Sequence, residues 1–223
     1  MPAASTAPPP PTDTTAASNT TLAGPAPDAR SVPADNAPLI AYTQHSKPPG
    51  LIDMTVGSAE LGLIGLGIAV SAGKDIVERD GIIDPSTEMA RQIAAAYAAA
   101  HGLRVASDPI PDAPNILLTK PDKLAAEANG ARYVVDVNPP GMELIYFSLD
   151  WTHRDLMFLS SVRIIDATNG KVVANARCFI KTKKTPDLMT HDQLQENHSA
   201  GLKLLIQHKT DACMADLKTH LKI

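Results

Sequence analysis

The chain has 223 residues, 44% of them hydrophobic and 4% aromatic, and its 20 basic and 24 acidic side chains leave a formal net charge of -4. That length buries one sizeable core and leaves room for an appendage. Interspersed charge with an acidic balance gives no basic footprint for a phosphate backbone, and the few aromatics offer no stacking platform, so nucleic acid is not an expected partner.

Residues 1–38 differ in composition from all that follows. Pro2, the run Pro8 to Pro11, Pro25, Pro27, Pro33 and Pro38 stand among Ala, Ser and Thr, with no aromatic before Tyr42. Such a segment has too little apolar surface to offset its chain entropy, so it reads as a disordered tether ahead of one domain over 39–223. The start Met1-Pro2-Ala3-Ala4 carries neither the basic nor the apolar segment of a secretory signal, and no cysteine stands near it to take a lipid.

Leu39 to Tyr42 reads as a short edge strand, turned by Lys47-Pro48-Pro49-Gly50, with Leu51 to Val56 extending the strand system. From Ser58 to Arg79 the pattern is helical and apolar almost all round, which predicts a helix that is buried or touches lipid or another copy. Its small residues, Ser58, Gly62, Gly65, Ala69, Ala72 and Gly73, recur mostly at three and four residue steps as a smooth stripe for close backbone approach. The apolar run from Leu61 to Ala72 is shorter than the roughly 20 residues that cross a bilayer.

Asp84-Pro85 starts a second helix that Gly102 ends, Leu103 to Ala106 is strand-like, Ser107 to Pro114 is a loop, and Lys120 to Ala128 is a short helix. Four β-patterned runs follow: Tyr133 to Val137, Met142 to Trp151, Leu156 to Asp166 and Lys171 to Lys181. The separators are Asn138-Pro139-Pro140-Gly141, Thr152 to Asp155, and a turn whose Asn169-Gly170 favours type I′. Thr190 with Gln193 then forms a capping box for a long final helix. The fold class is therefore α+β: an antiparallel β-meander with packed helices and a long C-terminal helix behind a disordered N-terminal arm.

Catalytic and ligand motifs fail on spacing. Gly62 to Gly67 with Gly73-Lys74 imitates a phosphate loop, but Asp75 stands where Ser or Thr would hold magnesium. His153-Arg154-Asp155-Leu156 copies the opening of a kinase catalytic loop, yet Ser160 occupies the asparagine position. His191, His198, His208 and His220 include no pair four residues apart, so no metal is expected. No cofactor and no catalytic residue is assigned. Asp150, Trp151, His153 and Arg154 instead suit a recognition tip between strands, an aromatic beside charges. Gly62 and Gly65 mark the striped helix as a second contact surface.

Cys178 lies on the apolar face of a strand and Cys213 on that of the final helix, so both thiols face one core. A bridge between them is the favoured reading, and two separate buried thiols are the alternative. A bridge implies an oxidising compartment. Either an export signal stood upstream and was removed or missed, or the protein is cytosolic with free thiols. A Pro/Ala/Thr tether ahead of a folded domain, as envelope proteins use to reach from a membrane anchor, favours the first.

Gly73-Lys74-Asp75-Ile76-Val77 leading into Asp84-Pro85, followed by Asp166-Ala167-Thr168-Asn169-Gly170-Lys171-Val172-Val173-Ala174, resembles bacterial envelope lipoproteins. The closing hairpin is similar to the small α/β domain of curli-secretion lipoproteins, of lipoprotein activators of penicillin-binding proteins, and of the N-terminal part of the Tol-system propeller protein. The resemblance spans Leu39 to Lys183 and implies binding or assembly without catalysis, while transferring no site residue. The expected protein is a periplasmic, disulfide-stapled docking module, possible membrane anchoring included, whose partner is an envelope protein or a second copy. An envelope hydrolase with paired carboxylates or a small-ligand carrier with an apolar cavity are the rival expectations.

Overall fold

A computed structural model of the chain describes residues 36–111, 120–147, 149–185 and 188–223. The tether of residues 1–38 lies almost wholly outside the described residues, as does the end of the loop from Ser107 to Pro114. Val32–Ile223 forms one compact unit.

Among the described residues thirteen elements follow in order: β1 (Leu39–Tyr42), β2 (Gly50–Asp53), α1 (Val56–Glu60), α2 (Gly62–Asp80), α3 (Ser86–His101), β3 (Arg104–Val105), α4 (Pro121–Ala126), β4 (Tyr133–Val137), β5 (Gly141–Phe147), β6 (Asp150–Asp166), β7 (Lys171–Ile180), β8 (Met189–Thr190) and α5 (His191–Leu221). The strands make one eight-stranded sheet. The fold is the expected α+β arrangement, with an antiparallel core and helices packed on it.

Its spine is β6. One edge of β6 carries β7, pairing Phe158 with Ile180 through Asp166 with Lys171, and β8, at His153 and Arg154. The other edge carries both β4 and β5, each antiparallel to β6. Asn138-Pro139-Pro140 therefore does not reverse the chain as a turn between meander strands. The Asn138 amide still donates to the Ser161 carbonyl at 2.9 Å, so β4 and β5 run on as one interrupted strand. Prolines break the ladder there because they have no amide to give it.

Beyond β4 and β5 the pairing is parallel. β1 pairs with β4 and β3, and β2 pairs with β5. β1 is thus an interior strand rather than the expected edge. Thr152 to Asp155, expected as a turn, belongs to β6, and the chain reverses between Phe147 and Asp150. Charged residues read as loop, but Arg154 and Asp155 satisfy their charges inside the fold. The β6–β7 connection also differs from type I′. Asp166 Oδ1 accepts from the Thr168 amide at 2.9 Å and hydroxyl at 2.6 Å, and Gly170 takes the left-handed conformation at φ 66°.

Alternation along the strands divides the apolar residues between two faces. Ile40, Tyr42, Val135, Val137 and Ile164 join the large core under α2, α3 and α5, while Ala41, Val134 and Ile165 meet Leu124 of α4 on the reverse face. Cys178 and Cys213 are fully buried in the large core and form a disulfide, their Cα atoms 5.3 Å apart. The bridge ties β7 to α5, as the residue pattern implied.

Two helices depart from expectation. The stretch from Ser58 to Arg79 is broken at Leu61–Gly62, where Gly62 has φ 58°, and α1 begins with a Thr55–Ser58 capping box. α5 is not one rod: Asn197, His198 and Ser199 all adopt left-handed φ of 52 to 57°. Holding three such residues costs free energy, so their surroundings must fix them.

Candidate functional site

The helix α2 turns its small side inward. Gly65, Ala69, Gly73, Ile76, Val77 and Asp80 are its buried residues. A Cβ at Gly65 would lie 1.7 Å from the Ser58 carbonyl oxygen, and one at Gly73 would lie 1.9 Å from that of Leu51. The stripe is consumed by packing within the chain, against α1 and β2. Gly65 is therefore no partner contact, and Gly62 serves the junction between α1 and α2.

The large aliphatics consequently point away from the core. Leu61, Leu63, Ile64, Leu66, Ile68 and Val70 are all exposed, Leu63 at 89% and Ile64 at 73%. This overturns the expectation of a buried helix for these side chains. Together they leave an aliphatic face of α2 and of the junction before it in solvent. Of the two expectations for this helix, buried or in contact with lipid or another copy, periodicity could not choose, because it reports only that residues share a side, and the side filled by small residues won the contact with the sheet.

The tip between β5 and β6 is the second surface. Leu149 is 96% exposed with φ 68°, and Trp151 is 60% exposed. Asp150 Oδ1 accepts from the amides of Thr152 at 3.3 Å and His153 at 3.2 Å, and stands 3.0 Å from His153 Nδ1. Those bonds, the His153 ring first, hold its carboxyl well below the usual range. Lys184 Nζ lies 3.4 Å from the same carboxylate.

Arg154 is not part of that tip's surface. It is 1% exposed, ion-paired to Asp53 of β2, and donates to the Met54 carbonyl at 2.6 Å. Its guanidinium lies 4.2 Å from the Tyr146 ring centre, and that ring lies 6.2 Å from Trp151. The arginine underpins the tip through a stack of cation, tyrosine and tryptophan. Sequence order alone had placed it with its exposed neighbours; β alternation sends it inward.

A third feature has no sequence motif. Asp136 of β4 is fully buried and accepts from Thr43 Oγ1 at 3.0 Å and Arg163 Nε at 2.9 Å, with His45 Nε2 at 3.6 Å. The clue was a lone acid inside the run Tyr133-Val134-Val135-Asp136-Val137. Nearby, two grooves of about 390 and 580 Å³ share the wall Gly81 to Asp84. The first lies against α3 and α5, where Ile82, Met89, Ile206 and Met214 give it an apolar lining with Asp84, Glu88 and Asp211 among its polar groups. Burial raises the Asp84 carboxyl, while the Ser86 amide, donating at 2.8 Å, opposes that shift.

Among the described residues no group of three or more His, Cys, Asp or Glu side chains is placed to hold a metal, and no helix is long and apolar enough to cross a membrane.

No family model matches the sequence, and no curated protein matches it. Among solved structures, a hypothetical protein from Chlamydia trachomatis is 14% identical, with 82% of this chain and 97% of that one covered, at a TM-score of 0.36. A lipoprotein from Neisseria meningitidis is 16% identical over 78% of this chain and 96% of its own, at 0.27. A protein from Helicobacter pylori, described as a homologue of neuraminyllactose-binding haemagglutinin, is 9% identical over 79% and 82%, at 0.30.

Proposed function

We propose that this protein is a non-catalytic binding or assembly module of the bacterial cell envelope, acting in the periplasm and docking through the outward face of α2. The single observation that carries the reading is the aliphatic surface from Leu61 to Val70 on a helix whose opposite side is already committed to the sheet. Leaving six such side chains in water is unfavourable by about 25 cal/mol per Å² of apolar area, a cost that a docked occupant removes. Support for the compartment comes from the Cys178–Cys213 bridge, since structural disulfides persist where the medium is oxidising. The hairpin resemblance to envelope lipoprotein domains agrees with it.

Two measurements test the reading. In cells lysed directly into denaturant with alkylating reagent, both cysteines stay unmodified until reductant is added; their immediate modification places the protein in a reducing compartment and overturns the assignment. A photo-reactive residue at Leu63 cross-links in intact cells to an envelope component or a second copy, whereas one at the exposed Val173 does not. Equal behaviour at the two positions removes the docking role from α2.

Small-ligand carriage is the second reading, favoured by the groove of about 390 Å³ lined by Ile82, Met89, Ile206 and Met214. A binding-driven rise in melting temperature that Met89→Trp abolishes supports it.

A further inference from the structure

The occupant of the α2 face follows from the arrangement of that face, and the inference rests on the docking role proposed above. Successive helical residues turn by about 100°, which sets Gly67 and Ser71 on a line with Leu63, Leu66 and Val70 on one side and Ile64 and Ile68 on the other. Both small residues are exposed. Three glycines stand inside α2 at Gly65, Gly67 and Gly73, and each costs roughly 1 kcal/mol of helix stability relative to alanine. Backbone contacts with Ser58 and Leu51 account for Gly65 and Gly73. A Cβ at Gly67 would meet nothing within 4 Å, so among the described residues no contact accounts for it.

An outward groove floored by glycine and walled by aliphatics fits a second helix approaching closely. The five side chains on α2 itself, Leu63, Ile64, Leu66, Ile68 and Val70, between 42% and 89% exposed, present about 500 Å² of surface, and two such faces amount to about 1,000 Å², at the low end for specific interfaces. From Leu61 to Gly73 there is no ionisable side chain, and Glu60 and Lys74 bound the stretch, each seven positions from Gly67. An antiparallel pairing about a two-fold axis at Gly67 brings the Gly62 end of α2 in each copy to the turn of the other that carries Lys74, which pairs with Glu78 at 3.6 Å. A bilayer surface is met by helices bordered with several basic residues. Here Glu60, Asp75 and Glu78 outnumber Lys74 and Arg79, and Arg79 is engaged by Asp80.

We propose that the outward face of α2 is a self-association surface, on which a second copy of this chain docks by an antiparallel helix crossing centred on Gly67.

The test is sedimentation equilibrium of the oxidised full chain, with Ile64→Glu and Gly67→Leu, both at exposed positions. The wild type sediments at twice the monomer mass at tens of micromolar. Each variant weakens the dimer about tenfold or more, a change of about 1.4 kcal/mol, with unchanged circular dichroism. Flotation with phosphatidylcholine and phosphatidylglycerol vesicles separates the rival occupant. Gly67→Leu adds apolar surface and so strengthens adsorption to lipid, while it blocks a close helix crossing. A wild type that stays monomeric but floats, more strongly as Gly67→Leu, overturns the dimer and leaves the docking face standing. A wild type that neither dimerises nor floats, with no Leu63 cross-link in cells, overturns both. A dimer unaffected by both substitutions places self-association elsewhere and overturns the inference.

Discussion

Gly73 touches β2 so closely that a Cβ on it would sit 1.9 Å from the Leu51 carbonyl oxygen. This contact decides which side of α2 faces water, because a helix can approach a strand backbone this nearly only where it carries no side chain. The aliphatic face is therefore outward by default.

Gly73→Ala forces α2 away from β2 and destabilises the fold by about 3 kcal/mol or more, since the obstacle is backbone and cannot rotate aside. Gly67→Ala, with open space around it, is neutral or stabilising by up to about 1 kcal/mol in dilute solution. Urea denaturation of the two variants, compared at low micromolar concentration, checks the contrast. Equal midpoints remove the packing argument.

Reduction of the Cys178–Cys213 bridge, which spans 35 residues, lowers stability by about 4 kcal/mol in the chain-entropy description. The denaturation midpoint with and without reductant measures it. Cys178→Ala with Cys213→Ala gives a loss of similar size. Equality of the reduced and oxidised proteins contradicts the prediction.

Arg154→Met leaves Asp53 buried without its cation and costs about 3 to 5 kcal/mol, while Trp151→Ala at the exposed tip costs less than about 1 kcal/mol. Lysine does not substitute for Arg154, because one ammonium cannot reach Asp53 and the Met54 carbonyl in the same fork geometry while lying on Tyr146. Thermal melts of the three variants rank them. A mild Arg154→Met phenotype returns that residue to the surface.

Asp80 joins α2 to the left-handed turn of α5, accepting from Ser199 Oγ while Arg79 Nη2 donates at 2.6 Å. The Arg79 bond foremost, and then Ser199, lower its carboxyl from the ordinary 3.8 to about 2. A depressed acid stabilises the folded state above its unfolded value and loses that contribution as pH falls. The loss is therefore confined between about pH 4 and pH 2, and Asp80→Asn removes it. An acid unfolding curve identical for wild type and variant over that window refutes the assignment.

Trp151 is the chain's one tryptophan, and its 60% exposure gives emission close to that of tryptophan in water with ready quenching by acrylamide. A blue shift on addition of an envelope extract locates a contact at the tip. Blue-shifted, unquenchable emission in the isolated protein contradicts the exposed placement.

Local chemistry made much of the fold legible in sequence. The left-handed Gly102 terminus, the Thr190–Gln193 box and the aspartate ahead of Pro85 all depend on contacts a few residues apart. The cysteine pairing was legible too, because both residues lay on apolar faces of strongly patterned elements. Strand order was not: β4 joins β5 on one edge of β6 because of a ladder to residues 25 to 33 positions away.

The site divides along the same line. Sequence alone determined that the stretch from Leu63 to Ala72 is helical, apolar and striped with small residues, since those are properties of spacing. Only the tertiary structure decided that the glycines close against Ser58 and Leu51 and leave the leucines and isoleucines outside, and that Arg154 turns inward to Asp53. Periodicity fixes which residues share a face, whereas competition between faces for one sheet is resolved by how near two backbones can come, and that distance is set by atoms far apart in the chain.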